Sequence, residues 1–149
     1  MLRFPSVALV SALTLLSAPL ARAAPEPDIE RQAAMAQRFE PFDGAGGPGW
    51  TTAFPTPFFR AVASGKPEAV PLRLRPGAYM IVVLCNCQSM EVTLVGPGET
   101  TIAPLKSGDQ AAMYSLDVKD GADYLAGVDM GACSEAQCDF AVKVYRKES

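Results

Sequence analysis

Four cysteines in two tight pairs carry most of the chemistry in this chain, Cys85-Asn86-Cys87 and Cys133 with Cys138. Three chemistries fit those spacings. Paired cysteines close structural disulfides wherever thiols oxidise. Four thiolates also make a soft-metal site for zinc or cuprous copper, and Met90 and Met130 lie close enough in sequence to add thioethers. A strained Cys-x-Cys disulfide is labile and oxidising, which suits thiol redox work. The flanks Leu84 and Gln88, however, bring no cation to depress a thiol pKa.

The compartment orders these readings. Arg3 opens the chain, Val7–Leu16 is apolar except for Ser11 and Thr14, and Ala21-Arg22-Ala23 offers small residues to a signal peptidase. We expect a signal peptide over residues 1–23, cut after Ala23, because a cut after Ala24 would leave Pro25 first. The apolar run is shorter than the roughly 20 residues needed to cross a bilayer. The protein is therefore expected in the periplasm or secreted, with no membrane span after cleavage, and the disulfide reading comes first. Four cysteines allow three connectivities. Cys133–Cys138 is the easiest to build, across the loop of a hairpin. Cys85–Cys87 needs a turn at Asn86, because in a straight strand its α-carbons lie roughly 6.5 Å apart. Two local bonds are the preferred reading, and cross-links between the pairs are the alternative. No metal and no cofactor are expected.

Composition excludes several classes. The chain has no histidine. That removes Ser-His-Asp and Cys-His nucleophiles, His-based metal sites and the usual general base near neutral pH. No spacing marks a carboxylate pair or a Ser-Lys site, so we expect no enzyme. Of 13 basic residues the leader takes Arg3 and Arg22, which leaves 11 against 16 acidic ones. An acidic chain has no concentrated basic face for nucleic acid or anionic lipid.

The elements that would position these residues follow from periodicity. Residues 24–60 read as a helix and a cover segment. Ile29 to Phe42 has an amphipathic pattern, with Asp28 as cap, Glu30 in the first turn and Ile29, Ala33, Ala36 and Phe39 as its apolar stripe. Pro41 ends it. Such a helix covers the core or binds a partner. Residues 43–60 are rich in Gly and Pro yet carry Trp50, Phe54, Phe58 and Phe59. They pack as an ordered cover, or form an aromatic patch that contacts a ligand or partner. The Gly44–Gly49 run is no phosphate loop, since no Lys-Ser or Lys-Thr follows it.

Residues 61–149 read as strands and turns. Tyr79–Cys85 is continuously apolar, as in a central strand covered on both faces. Alternation marks strands around Leu72–Leu74, Val92–Leu94, Tyr114–Val118, Tyr124–Met130 and Phe140–Tyr145, with a short one at Thr100–Ala103. Asp120-Gly121 signals a hairpin, and the last two strands are expected to form another around Gly131–Cys138. About seven short strands favour an all-β antiparallel sandwich with an N-terminal helix.

Leu74-Arg-Pro-Gly-Ala-Tyr79, the apolar strand ending in Cys85, alternating Val92 and Leu94, and then Tyr124, Met130, Cys133, Cys138, Phe140, Val142 and Val144 give a resemblance. Residues 60–146 resemble bacterial pre-peptidase C-terminal (PPC)-like domains, as a stand-alone exported member. The resemblance implies a jelly-roll-like sandwich with no catalytic residues and a binding or secretion-associated role. Where such domains often carry an Asp-Leu-Asp-Leu stretch, this chain has Met90-Glu-Val-Thr-Leu94, with one acid. That is too few for calcium, which takes six to eight oxygen ligands. The function expected is a non-catalytic exported module that binds a protein or a glycan. The alternative is a soft-metal or thiol-redox protein built on the four cysteines.

Overall fold

The computed structural model describes residues 28–44, 46–107, 110–133 and 137–149. The expected signal peptide and its cleavage point lie outside these residues. One helix, α1 (Ile29–Gln37), precedes nine strands among the described residues. They are β1 (Trp50–Thr52), β2 (Phe58–Ala63), β3 (Glu68–Leu74), β4 (Gly77–Cys85), β5 (Met90–Val95), β6 (Thr101–Ser107), β7 (Ala111–Val118), β8 (Ala122–Met130) and β9 (Gln137–Lys147). All pairings are antiparallel, in two sheets. The first sheet runs β1 and β2, β9, β4, β7, and the second runs β3, β8, β5, β6.

Strands β3 to β9 correspond to the seven expected from the sequence. The two additional strands fall in the Gly/Pro-rich stretch. Both lie along β9, with Trp50 opposite Lys147 and Phe58 opposite Val142. They act as one edge strand interrupted between Thr52 and Phe58, where Pro55 and Pro57 cannot donate to a ladder.

The core lies between the sheets. Tyr79, Ile81, Val83 and Cys85 of β4 and Phe140, Val142 and Val144 of β9 meet Val70, Leu72, Leu74, Val92, Leu94, Ala126, Val128 and Met130 from the second sheet. The opposite face of β4 is also apolar, and Met80, Val82 and Leu84 pack under the helix with Ala141 and Tyr145 of β9. That double coverage explains the unbroken apolar run. Strand β8 differs, because its outward positions include Asp123 and Asp129, and the face it lies on is not roofed by the helix.

This difference corrects both expected hairpins. Strands β7 and β9 belong to the first sheet and β8 to the second. The turns at Asp120-Gly121 and after Gly131 therefore carry the chain across the core. A tight turn encodes a reversal, not the neighbour. Strand β9 is apolar on both faces and takes the roofed central position, while β8 suits a sheet with one wet face. A hairpin between neighbours remains at Gly96-Pro97-Gly98, where Gly98 has φ 72° and β5 pairs with β6.

The helix is capped as expected, with Glu30 N–H donating to Asp28 Oδ1 at 3.2 Å. The helix stops at Gln37, short of the expected end at Pro41, and of the expected stripe only Phe39, in the turn that follows, is buried. Ile29 is 81% exposed, Ala33 and Ala36 are exposed, and Met35 and Phe39 are buried. The alanines have little area to bury, so the larger Met35 and Phe39 decide the rotation. Two arginines beside them find partners on the sheet. Arg38 Nη1 donates to Cys85 O at 2.7 Å, and Arg31 Nε lies 2.7 Å from Asp139 Oδ2. After the helix, Asp43 accepts from Tyr145 Oη at 2.7 Å and pairs with Lys143. Burial alone would raise the Asp43 pKa, but the hydrogen bonds from Lys143 and Tyr145 and the Lys143 charge outweigh it and lower the value. Burial, aided by Asp43, pushes the Tyr145 phenol well above its ordinary value.

Candidate functional site

The cysteines converge at one end of the core. Cys85 is bonded to Cys87 and Cys133 to Cys138, with α-carbons 5.3 and 5.7 Å apart. Cys87 and Cys133 face each other in an antiparallel bridge, so the two disulfides are neighbours. Around them the backbone is tied closely. Gln88 N–H donates to Ala132 O, and Gly131 N–H donates to Ser89 O, each at 2.9 Å. Asn86 supplies the turn that Cys-x-Cys requires and is bound on both sides. Its own N–H donates to Asp139 O at 3.0 Å, and its side-chain Oδ1 accepts from Asp139 N–H at 2.7 Å. Cys85, Cys87 and Cys138 are fully buried, and Cys133 is half-buried. In this state the sulfurs are bonded to one another, and a zinc or copper site would need them as thiolates.

The four aromatics of the cover do not gather into one patch. Phe54 and Phe58 meet edge to face at 5.2 Å and pack against the core between the sheets. Trp50 and Phe59 pack against the cluster under the helix, on the other side of the first sheet. All four are half-buried. They divide between two cores instead of presenting a stacking platform.

A different surface is open. On the outer side of the second sheet, register sets Ala69, Gly127 and Thr93 in one row across three strands. Pro71, Leu125 and Val95 form the row beside it. Leu125 is 46% exposed, and Pro71 is also exposed. Gly127 has no side chain to fill its place, which leaves a trough of about 510 Å³ lined by Pro67, Glu68, Ala69, Glu91, Thr93, Gly127, Val128 and Asp129. Acids therefore rim one end. Outside the trough, in the row beyond Pro71 and Leu125, Arg73 Nε lies 2.9 Å from Asp123 Oδ1, and Arg73's hydrogen bond and charge lower the Asp123 pKa. Sequence reasoning missed this face. Its one signal was an outward Leu125 between Asp123 and Asp129, where alternation calls for a polar residue.

No family model and no curated protein matches the chain. Among solved structures it is similar to the crystal structure of Aeromonas hydrophila PliG, a periplasmic lysozyme inhibitor of g-type lysozyme. The identity is 14% and the TM-score 0.42, over 66% of this chain and 89% of that one. A likeness this slight decides neither the partner nor the contact surface.

Proposed function

We infer that the chain is an exported, non-catalytic β-sandwich that binds a protein through the open face of its second sheet. One observation carries the reading. The first sheet's outer face is roofed by α1 and the turn after it, while the second sheet exposes Leu125 and Pro71 beside a trough floored by Gly127. Exposed apolar surface rimmed by polar groups is the usual form of a protein contact. Glu68 and Asp129 on the rim favour a basic partner. A glycan is supported less well, because the rings that would stack on sugars are half-buried and divided.

Two disulfides fit a protein that matures in an oxidising compartment. Among the described residues no helix is long and apolar enough to cross a membrane. The signal peptide and the PPC-like character read from the sequence belong to the same proposal.

The test is site-specific photo-cross-linking in the native compartment. A photoreactive residue at Leu125 should yield one discrete protein adduct. The same group at Ile29, on the roofed side, should yield none. Equal adducts at both positions, or none at either, would refute the reading. Binding of an identified partner should weaken on Gly127→Arg, which fills the trough from an outward position. A g-type lysozyme enters the same titration as one probe among basic and acidic proteins.

A further inference from the structure

Each sheet has two edges, and an unpaired strand edge invites another strand unless something blocks it. Three of the four edges here are blocked. The β1/β2 edge is broken between Thr52 and Phe58, with Pro55 and Pro57 in the break. Strand β3 carries Pro71 at its centre between Glu68 and Arg73. Strand β6 contains Pro104, and its ladder with β5 shifts register at Leu94/Val95. Strand β7 has none of these devices. Its sequence Ala-Ala-Met-Tyr-Ser-Leu-Asp-Val contains no proline, no glycine and one charge, and it pairs with β4 in a single unbroken register.

The hydrogen-bond pattern shows which groups face outward. Cys85 N–H donates to Gln110 O at 3.0 Å, in line with the β4–β7 register. Hydrogen-bonded pairs recur every second residue in an antiparallel ladder. Ala112, Tyr114, Leu116 and Val118 therefore turn their main-chain groups to β4. Met113, Ser115 and Asp117 turn theirs to the edge. All three side chains are exposed, Met113 by 51%.

We propose that β7 is a homodimer interface, in which two copies pair their β7 strands antiparallel about a two-fold axis at Ser115. The three outward residues pair with one another about that point. Ser115 faces Ser115 of the second copy, and Met113 faces its Asp117. Every outward N–H and C=O of the three then has a partner, and the two first sheets join into one. The neighbouring registers fit less well. A centre at Leu116 sets Met113 opposite Lys119, which lies beyond the strand, and a centre at Tyr114 sets Asp117 opposite Ala111, which already has a partner. This surface is separate from the open face of the second sheet, so either proposal can fail alone.

Sedimentation equilibrium over a concentration series tests the interface. The wild-type protein should pass from monomer to dimer, and Ser115→Pro should stay monomeric, since proline removes an outward N–H while leaving the bonds to β4. Met113→Asp should weaken the dimer by about tenfold, because it creates two like-charge pairs per dimer. Met113→Lys, opposite Asp117, should bind at least as tightly as wild type. This charge pair carries the test if Ser115→Pro fails to fold. A wild-type protein that stays monomeric throughout would overturn the proposal, as would equal effects of Met113→Asp and Met113→Lys. Edge amides of Met113, Ser115 and Asp117 protected only on adding a foreign protein would also overturn it, and would assign β7 to strand addition by another chain.

Discussion

Truncating Phe39 to alanine tests how the helix is seated. Phe39 has no exposed surface and packs with Met35 on one side and Met80, Val82, Leu84, Ala141 and Tyr145 on the other. Loss of the ring removes roughly 150 Å² of buried apolar surface, worth about 4 kcal/mol at about 25 cal/mol per Å². Measured losses for such truncations run from about 3 to 5 kcal/mol, depending on how far the site collapses. Collapse is resisted here. Arg38 to Cys85 O, Arg31 to Asp139, and Asp43 to Lys143 and Tyr145 hold the helix and its following turn at a fixed height over the sheet. We therefore expect a loss of about 4 kcal/mol. With an m-value near 2 kcal/mol per molar urea, the midpoint falls by about 2 M. Trp50, the one tryptophan, borders the same cluster and reports the transition by fluorescence, while far-UV dichroism reports the sheets. Ile29→Ala is the control, since an 81% exposed side chain should change stability by no more than about 0.5 kcal/mol. The reasoning fails if Phe39→Ala costs less than about 1 kcal/mol. It fails equally if Ile29→Ala costs as much, because the helix would then bury its alanine stripe.

Asn86→Ala should lower stability by about 1–3 kcal/mol, because it strands the Asp139 N–H that its side chain now satisfies; thermal melts would show this. Mild reductant should open Cys133–Cys138 before Cys85–Cys87, because Cys133 is half-buried and the other three sulfurs are enclosed; alkylation followed by mass mapping reads the order. The Asp43 carboxyl has a lowered folded pKa, so its contribution is full above the unfolded value of about 3.9 and fades as pH falls through the folded value. Asp43→Asn should be less stable than wild type at neutral pH, and the difference should shrink below about pH 4. The Tyr145 phenol is raised, so its contribution is full below about pH 10 and declines above it, a loss that Tyr145→Phe should abolish in alkaline unfolding curves.

Periodicity revealed the strands because burial imposed it. Tyr79–Cys85 read as covered on both faces, and the helix supplies the second cover. Strand β2 was hidden because Phe58–Ala63 has no fully buried residue, exposes every third one and follows two prolines, so no two-residue alternation survives. The helix rotation was misjudged because spacing put Ala33 and Ala36 in the stripe and left Met35 out, although a methyl has far less surface to bury. Sheet membership was not readable from turns, since Asp120-Gly121 serves an arch between sheets as well as a hairpin. The open trough was hardest to see. It depends on Gly127 lying between Ala69 and Thr93, which are neighbours only through pairing across three strands.

Successive strands from β2 to β9 alternate between the sheets at every step except β5 to β6. Few neighbours in space are therefore neighbours in sequence, and β1 lies against the final residues of β9. The strand at the middle of the first sheet is thus made after every strand it pairs with. A chain emerging from its amino end cannot complete that sheet until β9 has emerged. Sandwiches rich in such distant pairings fold in milliseconds to seconds. The roof of the first sheet can therefore settle only after β9 arrives, since Ala141 and Tyr145 of β9 form part of its bed.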